Sequence, residues 1–110
     1  MGRDTAAPLK YKVFFTKRCE RRYDRLQSSD QRQVGLVIDH LSADPKIGYP
    51  LKDPVLRDLY SIHAGDFRII YKFIEDPAEI ELWAIEQRER VYEEIKRYRQ
   101  VVLAAQEGAR

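Results

Sequence analysis

Between Asp58 and Ile85 three short apolar runs alternate with two tight turns, and this pattern restricts the fold more than any other feature of the chain. Asp58–His63 is followed by Ala64-Gly65-Asp66, a hairpin signal in which Gly65 can take the positive φ that a two-residue turn demands. Phe67–Ile74 then alternates Phe67, Ile69, Tyr71 and Phe73 against Arg68, Ile70, Lys72 and Ile74. Glu75-Asp76-Pro77-Ala78 makes the next turn, and Ile80–Ile85 reads as a third strand. Such a meander is antiparallel by construction, because two-residue turns cannot join parallel strands.

The flanks read as helix. Leu9–Phe15 alternates as a strand with Leu9, Tyr11, Val13 and Phe15 on one face, and Thr16 suits an N-cap. Lys17–Leu26 places Cys19, Tyr23 and Leu26 on one side, opposite Lys17, Arg18, Arg21, Arg22 and Arg25. Ser28 and Gln31 are spaced as a capping box for a second helix with Val34, Val37, Ile38 and Leu41 at i, i+3, i+4 and i+7. Asp44-Pro45 ends it. Residues 43–56 form a long connection with three prolines and Gly48, and past Gln87 a last helix aligns Val91, Ile95, Tyr98, Val102 and Ala105. The expectation is an α+β single domain over residues 9–110: an antiparallel sheet of about four strands, two N-terminal helices packed on one face and a C-terminal helix. Residues 1–8, ending at Pro8, read as a loose lead-in.

With 110 residues there is room for one core. One cysteine, Cys19, leaves no internal disulfide framework and reads as a helix-face core residue. The start carries no signal-peptide apolar run, no stretch approaches a membrane span, and a soluble cytoplasmic domain is the expectation. A net charge of +2 hides an uneven distribution: residues 9–32 hold eight basic and three acidic side chains, residues 33–85 five and nine. That asymmetry suits a local polyanion site or a charged protein interface. Glycine-rich phosphate loops, zinc spacings and serine-nucleophile signatures are absent, so no metal or cofactor is expected.

Chemistry concentrates in the C-terminal half. Arg68 lies on the strand face opposite the aromatic run, Arg88 just past the last strand, Tyr92 four residues later, and His63 at the edge of the hairpin turn. Two guanidinium forks, a phenol and an imidazole from neighbouring elements suit a phosphodiester, since arginine binds phosphate oxygens bidentately and keeps its charge. Plainer readings stand beside this one. Arg68 can be a cross-strand partner of Glu79 or Glu81, and Arg88 and Arg90 alternate with Glu86, Glu89, Glu93 and Glu94 as a solvated face does. Tyr92 can be the wet edge of a core, and His63 an ordinary strand residue.

Leu59–Tyr71, with its Ser61-Ile62-His63-Ala64-Gly65-Asp66-Phe67-Arg68 centre, resembles the strand–turn–strand signature of the RelE/ParE toxin superfamily. Leu82–Tyr92, an arginine followed shortly by Val91-Tyr92, resembles its closing motif, and the strand–helix–helix opening fits the same topology. The likeness covers roughly residues 9–98. It implies a toxin paired with an antitoxin, and for RelE-like members a metal-free endoribonuclease (an mRNA interferase) acting on mRNA in the ribosomal A site. There the ribose 2′-hydroxyl attacks the adjacent phosphate. Carried over by position, Arg68 would clamp the scissile phosphate and Arg88 would stabilise the transition state or protonate the 5′-oxygen. Tyr92 would serve as base or stacking platform. Lys72, Arg90 and Ser61 would contact RNA. At Ser61 and His63 the family often carries lysine or arginine; His63 can replace one as an acid/base. The same likeness implies two alternatives: a ParE-like inhibitor that binds DNA gyrase, and an inactive antitoxin-binding relative.

Overall fold

The structure, a computed structural model, describes residues 10–108. β1 (Lys12–Phe15) leads into α1 (Lys17–Asp24) and α2 (Ser28–Ala43). A 3₁₀ turn at Pro45–Ile47 precedes the two-residue β2 (Tyr49–Pro50), then β3 (Tyr60–Ala64), β4 (Phe67–Glu75), β5 (Ala78–Gln87) and α3 (Val91–Gly108). The α+β architecture is the expected one, and the sheet differs in two details. It has five strands in the order β1-β5-β4-β3-β2, and it is mixed: β1 runs parallel to β5, with Lys12 opposite Glu79 and Phe15 opposite Leu82. A parallel neighbour needs a long crossover, here everything from α1 to β4, and strand periodicity alone does not reveal it. The proposed lead-in, together with Leu9, lies outside the described residues.

The meander forms as its turns dictate. Ala64 faces Phe67 across Gly65-Asp66, and Gly65 takes φ +65°. Glu75 faces Ala78 across a cis Asp76–Pro77. One irregularity interrupts β5: Ile70 pairs with Ala84 but Tyr71 with Leu82, so Trp83 is an extra residue. The bulge lets Leu82 and Ile85, three apart, both face α1 and α2, while Trp83 and Ala84 face α3.

Both sheet faces are therefore covered. On one, Cys19, Val34 and Leu41 from α1 and α2 pack on Ile69, Tyr71, Ile80, Leu82 and Ile85, nearly all of them sealed from water. At about 1.5–3 kcal/mol for each fully buried large apolar side chain, this layer supplies most of the driving force. On the other, Val91 and Tyr98 of α3 and Leu56 and Leu59 of the connection cover Ile70 and Ala84. Thr16 caps α1 as expected, its hydroxyl accepting from the Cys19 N–H at 3.2 Å. The capping box does not form: Gln27 is the N-cap of α2 without a side-chain bond, and the Gln31 amide donates instead to the Tyr23 carbonyl at 2.9 Å. With α1 ending at Asp24, the glutamine adds a second donor to a carbonyl of that helix's last turn, which also accepts the Leu26 N–H.

β2 sits where it does because of Gly48. A Cβ there would overlap the Tyr71 hydroxyl and come within 2.9 Å of the Ser61 carbonyl oxygen. Tyr71 is fully buried and donates to the Pro45 carbonyl at 2.7 Å. Burial pushes its phenol up to about 12, so it stays a donor throughout the working pH range.

Candidate functional site

Along β3 the side chains of Ser61 and His63 face away from the aromatic layer, and register sets His63 directly opposite Arg68. Tyr49 of β2 stands opposite Ser61 and so shares that face. Strands β3 and β4 thus make a floor, bounded by β2 at the sheet edge and by the first turns of α3 over Ile70 and Ala84. The result is a hollow of about 310 Å³ lined by Arg68, Ser61, Tyr49, Lys52, Tyr92 and Ile95, among others. Arg68 donates from Nη1 to the Ser61 hydroxyl at a long 3.4 Å.

The cross-strand neighbour of Arg68 on β5 is Glu86, not Glu79 or Glu81. Its carboxylate is engaged elsewhere: Arg22 of α1 approaches it at 3.4 Å while lying over the Phe67 ring. Arg68 makes no ion pair among the described residues, and the same holds for Arg88 and Arg90. An arginine without a carboxylate beside it keeps its fork free for an incoming anion.

Arg88 and His63 line an adjoining hollow of about 330 Å³ with Asp66, Phe67 and Gln87. The expected group is thus distributed over two neighbouring depressions, Arg68, Ser61 and Tyr92 in one and Arg88 and His63 in the other, with His63 next to Arg68 on the floor. Lys72 lies farther along β4, 3.8 Å from Glu81 and over the Trp83 ring, and lines neither hollow. Arg90 is exposed in the turn before α3, where its carbonyl accepts the Glu93 and Glu94 N–H groups. Tyr49 and Lys52 escaped the sequence reading because they sit in the proline-rich connection, where periodicity is silent. No cluster of three or more His, Cys, Asp or Glu side chains able to hold a metal occurs among the described residues. Cys19 is buried, and burial pushes its thiol up to about 12, which makes it inert.

α3, which carries Tyr92, is tied to α1 two residues farther along by an ion pair. Arg18 grips Glu94 with two bonds, Nε to Oε1 at 3.0 Å and Nη2 to Oε2 at 2.9 Å. Tyr98 donates to the Trp83 carbonyl and packs edge-on against that indole. The bonds from Arg18 hold the nearly buried Glu94 carboxyl below the usual carboxylate range. The folded protein therefore gives up that proton more readily than the unfolded chain. The pair's contribution is complete above the ordinary glutamate value and disappears as the pH falls through the lower folded one. Arg18→Met is expected to cost about 1–2 kcal/mol at pH 7, discounted because Arg18 is half exposed. Urea unfolding at pH 7 and pH 3 checks it: the gap from wild type should narrow in acid.

The model of the "ParE toxin of type II toxin-antitoxin system, parDE" matches residues 13–92, spanning every element from β1 to the start of α3. The chain belongs to the ParE toxin family. Solved structures agree on the fold. The toxin–antitoxin complex RelBE2 of Mycobacterium tuberculosis matches with TM-score 0.66 and 23% identity over 73% of this chain and 93% of that one. The isolated RelE toxin of E. coli matches with TM-score 0.61 and 22% identity over 80% and 98%. A YoeB/ParE toxin from Agrobacterium tumefaciens matches with TM-score 0.61 and 16% identity over 70% and 98%. No curated protein matches. No helix among the described residues of this ParE-family chain is long and apolar enough to cross a membrane.

Proposed function

We propose that this toxin is a RelE-like endoribonuclease that cleaves mRNA in the ribosomal A site, and that a cognate antitoxin holds it in check. The observation that carries this reading is the Arg68 guanidinium, without an ion pair among the described residues, on the floor of a hollow shared with the exposed Tyr92, with Arg88 and His63 adjoining. In the reaction the 2′-oxygen attacks phosphorus as its proton leaves to water, with Tyr92 serving as the stacking platform. Arg68 offsets the charge building on the non-bridging oxygens. The P–O5′ bond breaks towards the second hollow, where His63 returns a proton to the 5′-oxygen beside the Arg88 charge. The products are a 2′,3′-cyclic phosphate and a 5′-hydroxyl. The ribosome contributes by holding the RNA in line, so positioning carries much of the rate.

A second reading follows from the family itself: inhibition of DNA gyrase by protein binding, which needs no reacting groups. It is favoured by the neutral Ser61 and by the absence of lysine or arginine at His63. Primer extension on cellular transcripts after brief expression separates the two. Cuts confined to translated frames are expected, with supercoiling by purified gyrase unaffected. Intact transcripts with gyrase inhibited would replace the first reading with the second.

A further inference from the structure

Tyr49 is 72% exposed and Tyr92 63%, and both belong to the wall of one hollow whose floor carries Arg68. Neither ring packs on another aromatic, whereas Tyr11, Tyr23, Tyr60, Tyr71 and Tyr98 all do. They come from different borders: Tyr49 from β2 at the sheet edge, Tyr92 from the first turn of α3. Ser61 of β3 and Arg68 and Ile70 of β4 line the same hollow. Lys52, two residues past β2, adds a second cation to the same hollow. Flat aromatic faces left open on two sides of an unpaired guanidinium match a nucleotide: rings for the base, cations for its phosphates.

We infer that Tyr49 is a substrate-positioning residue, the second jaw of a base clamp that holds one nucleobase beside the scissile phosphate between its ring and that of Tyr92. The clamp rests on the ribonuclease reading above and deepens it. Its precision comes from Gly48 and Pro50. Gly48 lets β2 approach Tyr71 and Ser61 closely, and Pro50 removes a backbone donor at the edge and stiffens the chain beside the ring. Stacking tolerates any base but rewards the wider face of a purine.

The test uses the full chain and ribosomes programmed with a short mRNA whose A-site codon carries, in turn, natural bases or one abasic nucleotide on either side of the cut. Tyr49→Ala is expected to lower kcat/KM for cleavage about 10- to 100-fold, more for a purine than a pyrimidine, and Tyr49→Phe to stay within about threefold of wild type. At the clamped nucleotide the abasic RNA should bring wild type down to the level of Tyr49→Ala, with no further loss in the variant. Equal losses on natural and abasic RNA would mean a structural role and overturn the clamp. So would unchanged cleavage by Tyr49→Ala, including the case where only antitoxin binding weakens. If wild type cuts no mRNA at all, the ribonuclease reading falls and takes the clamp with it. Cutting without dependence on Tyr49 overturns the clamp alone.

Discussion

Arg68→Ala is expected to slow mRNA cleavage by roughly 10²–10³-fold, the usual loss when one donor to a developing charge is removed from a prearranged site. The guanidinium is well placed for this effect because no carboxylate among the described residues holds it: its β5 neighbour Glu86 pairs with Arg22, and the Ser61 hydroxyl is a weak partner at 3.4 Å. For the same reason the fold should hardly register the change. Arg68 is only half-buried and forms no ion pair among the described residues, so the melting temperature should stay within about 3 °C of wild type. Arg68→Lys keeps the charge and loses the fork, and an intermediate rate is expected. Single-turnover cleavage on programmed ribosomes, with a thermal melt of each variant, makes the comparison. A gyrase inhibitor would show neither loss.

Gly48→Ala is expected to be the most damaging small substitution in the chain, costing about 3 kcal/mol. A methyl group must displace the Tyr71 hydroxyl, a buried group already committed to the Pro45 carbonyl, and must crowd the Ser61 carbonyl oxygen on β3. Overpacking of this sort costs about 1–3 kcal/mol, and breaking a buried hydrogen bond adds about 1–3 more. For a domain of this length the melting temperature should fall by roughly 10–20 °C. The double variant Gly48→Ala/Tyr71→Phe provides a check. Removing the hydroxyl relieves the worse contact and leaves the one at Ser61, so partial recovery relative to Gly48→Ala is expected; no recovery would mean that β3, not Tyr71, sets the spacing. Because β2 carries Tyr49, cleavage should suffer beyond what loss of folded protein explains.

Where one alternation governs one buried face, the residues announce the structure. Phe67, Ile69, Tyr71 and Phe73 fall on the side of α1 and α2 as their spacing requires, and Val34 and Leu41 bury as a helical stripe should. The pattern is silent where two rules compete. Leu82-Trp83-Ala84-Ile85 breaks the two-residue period because a bulge re-aims it, and the parallel partner of β1 is chosen by packing far along the chain. The site divides in the same way. Arg68, Arg88, Tyr92 and His63 stand on or beside regular elements, so their faces and closeness were readable. The place of Tyr92 depends on where α3 settles, which long-range packing of Val91 and Tyr98 on Ile70 and Ala84 sets together with the Arg18–Glu94 pair. Tyr49 belongs to a two-residue strand whose existence rests on one glycine fitting against one tyrosine, a contact no local pattern encodes.

The pairing of β1 with β5 bears on when the protein becomes dangerous to its host. During synthesis Lys12–Phe15 emerges early and finds no strand to lie against until Glu79–Leu82 has followed it. Contacts between chain ends so far apart form late and close the structure in one step. A nascent chain cut short within the meander has neither a finished floor nor the helix that brings Tyr92 to it. Under the ribonuclease reading, cleavage is therefore expected only from the completed molecule, and a chain truncated before β5 should be inactive.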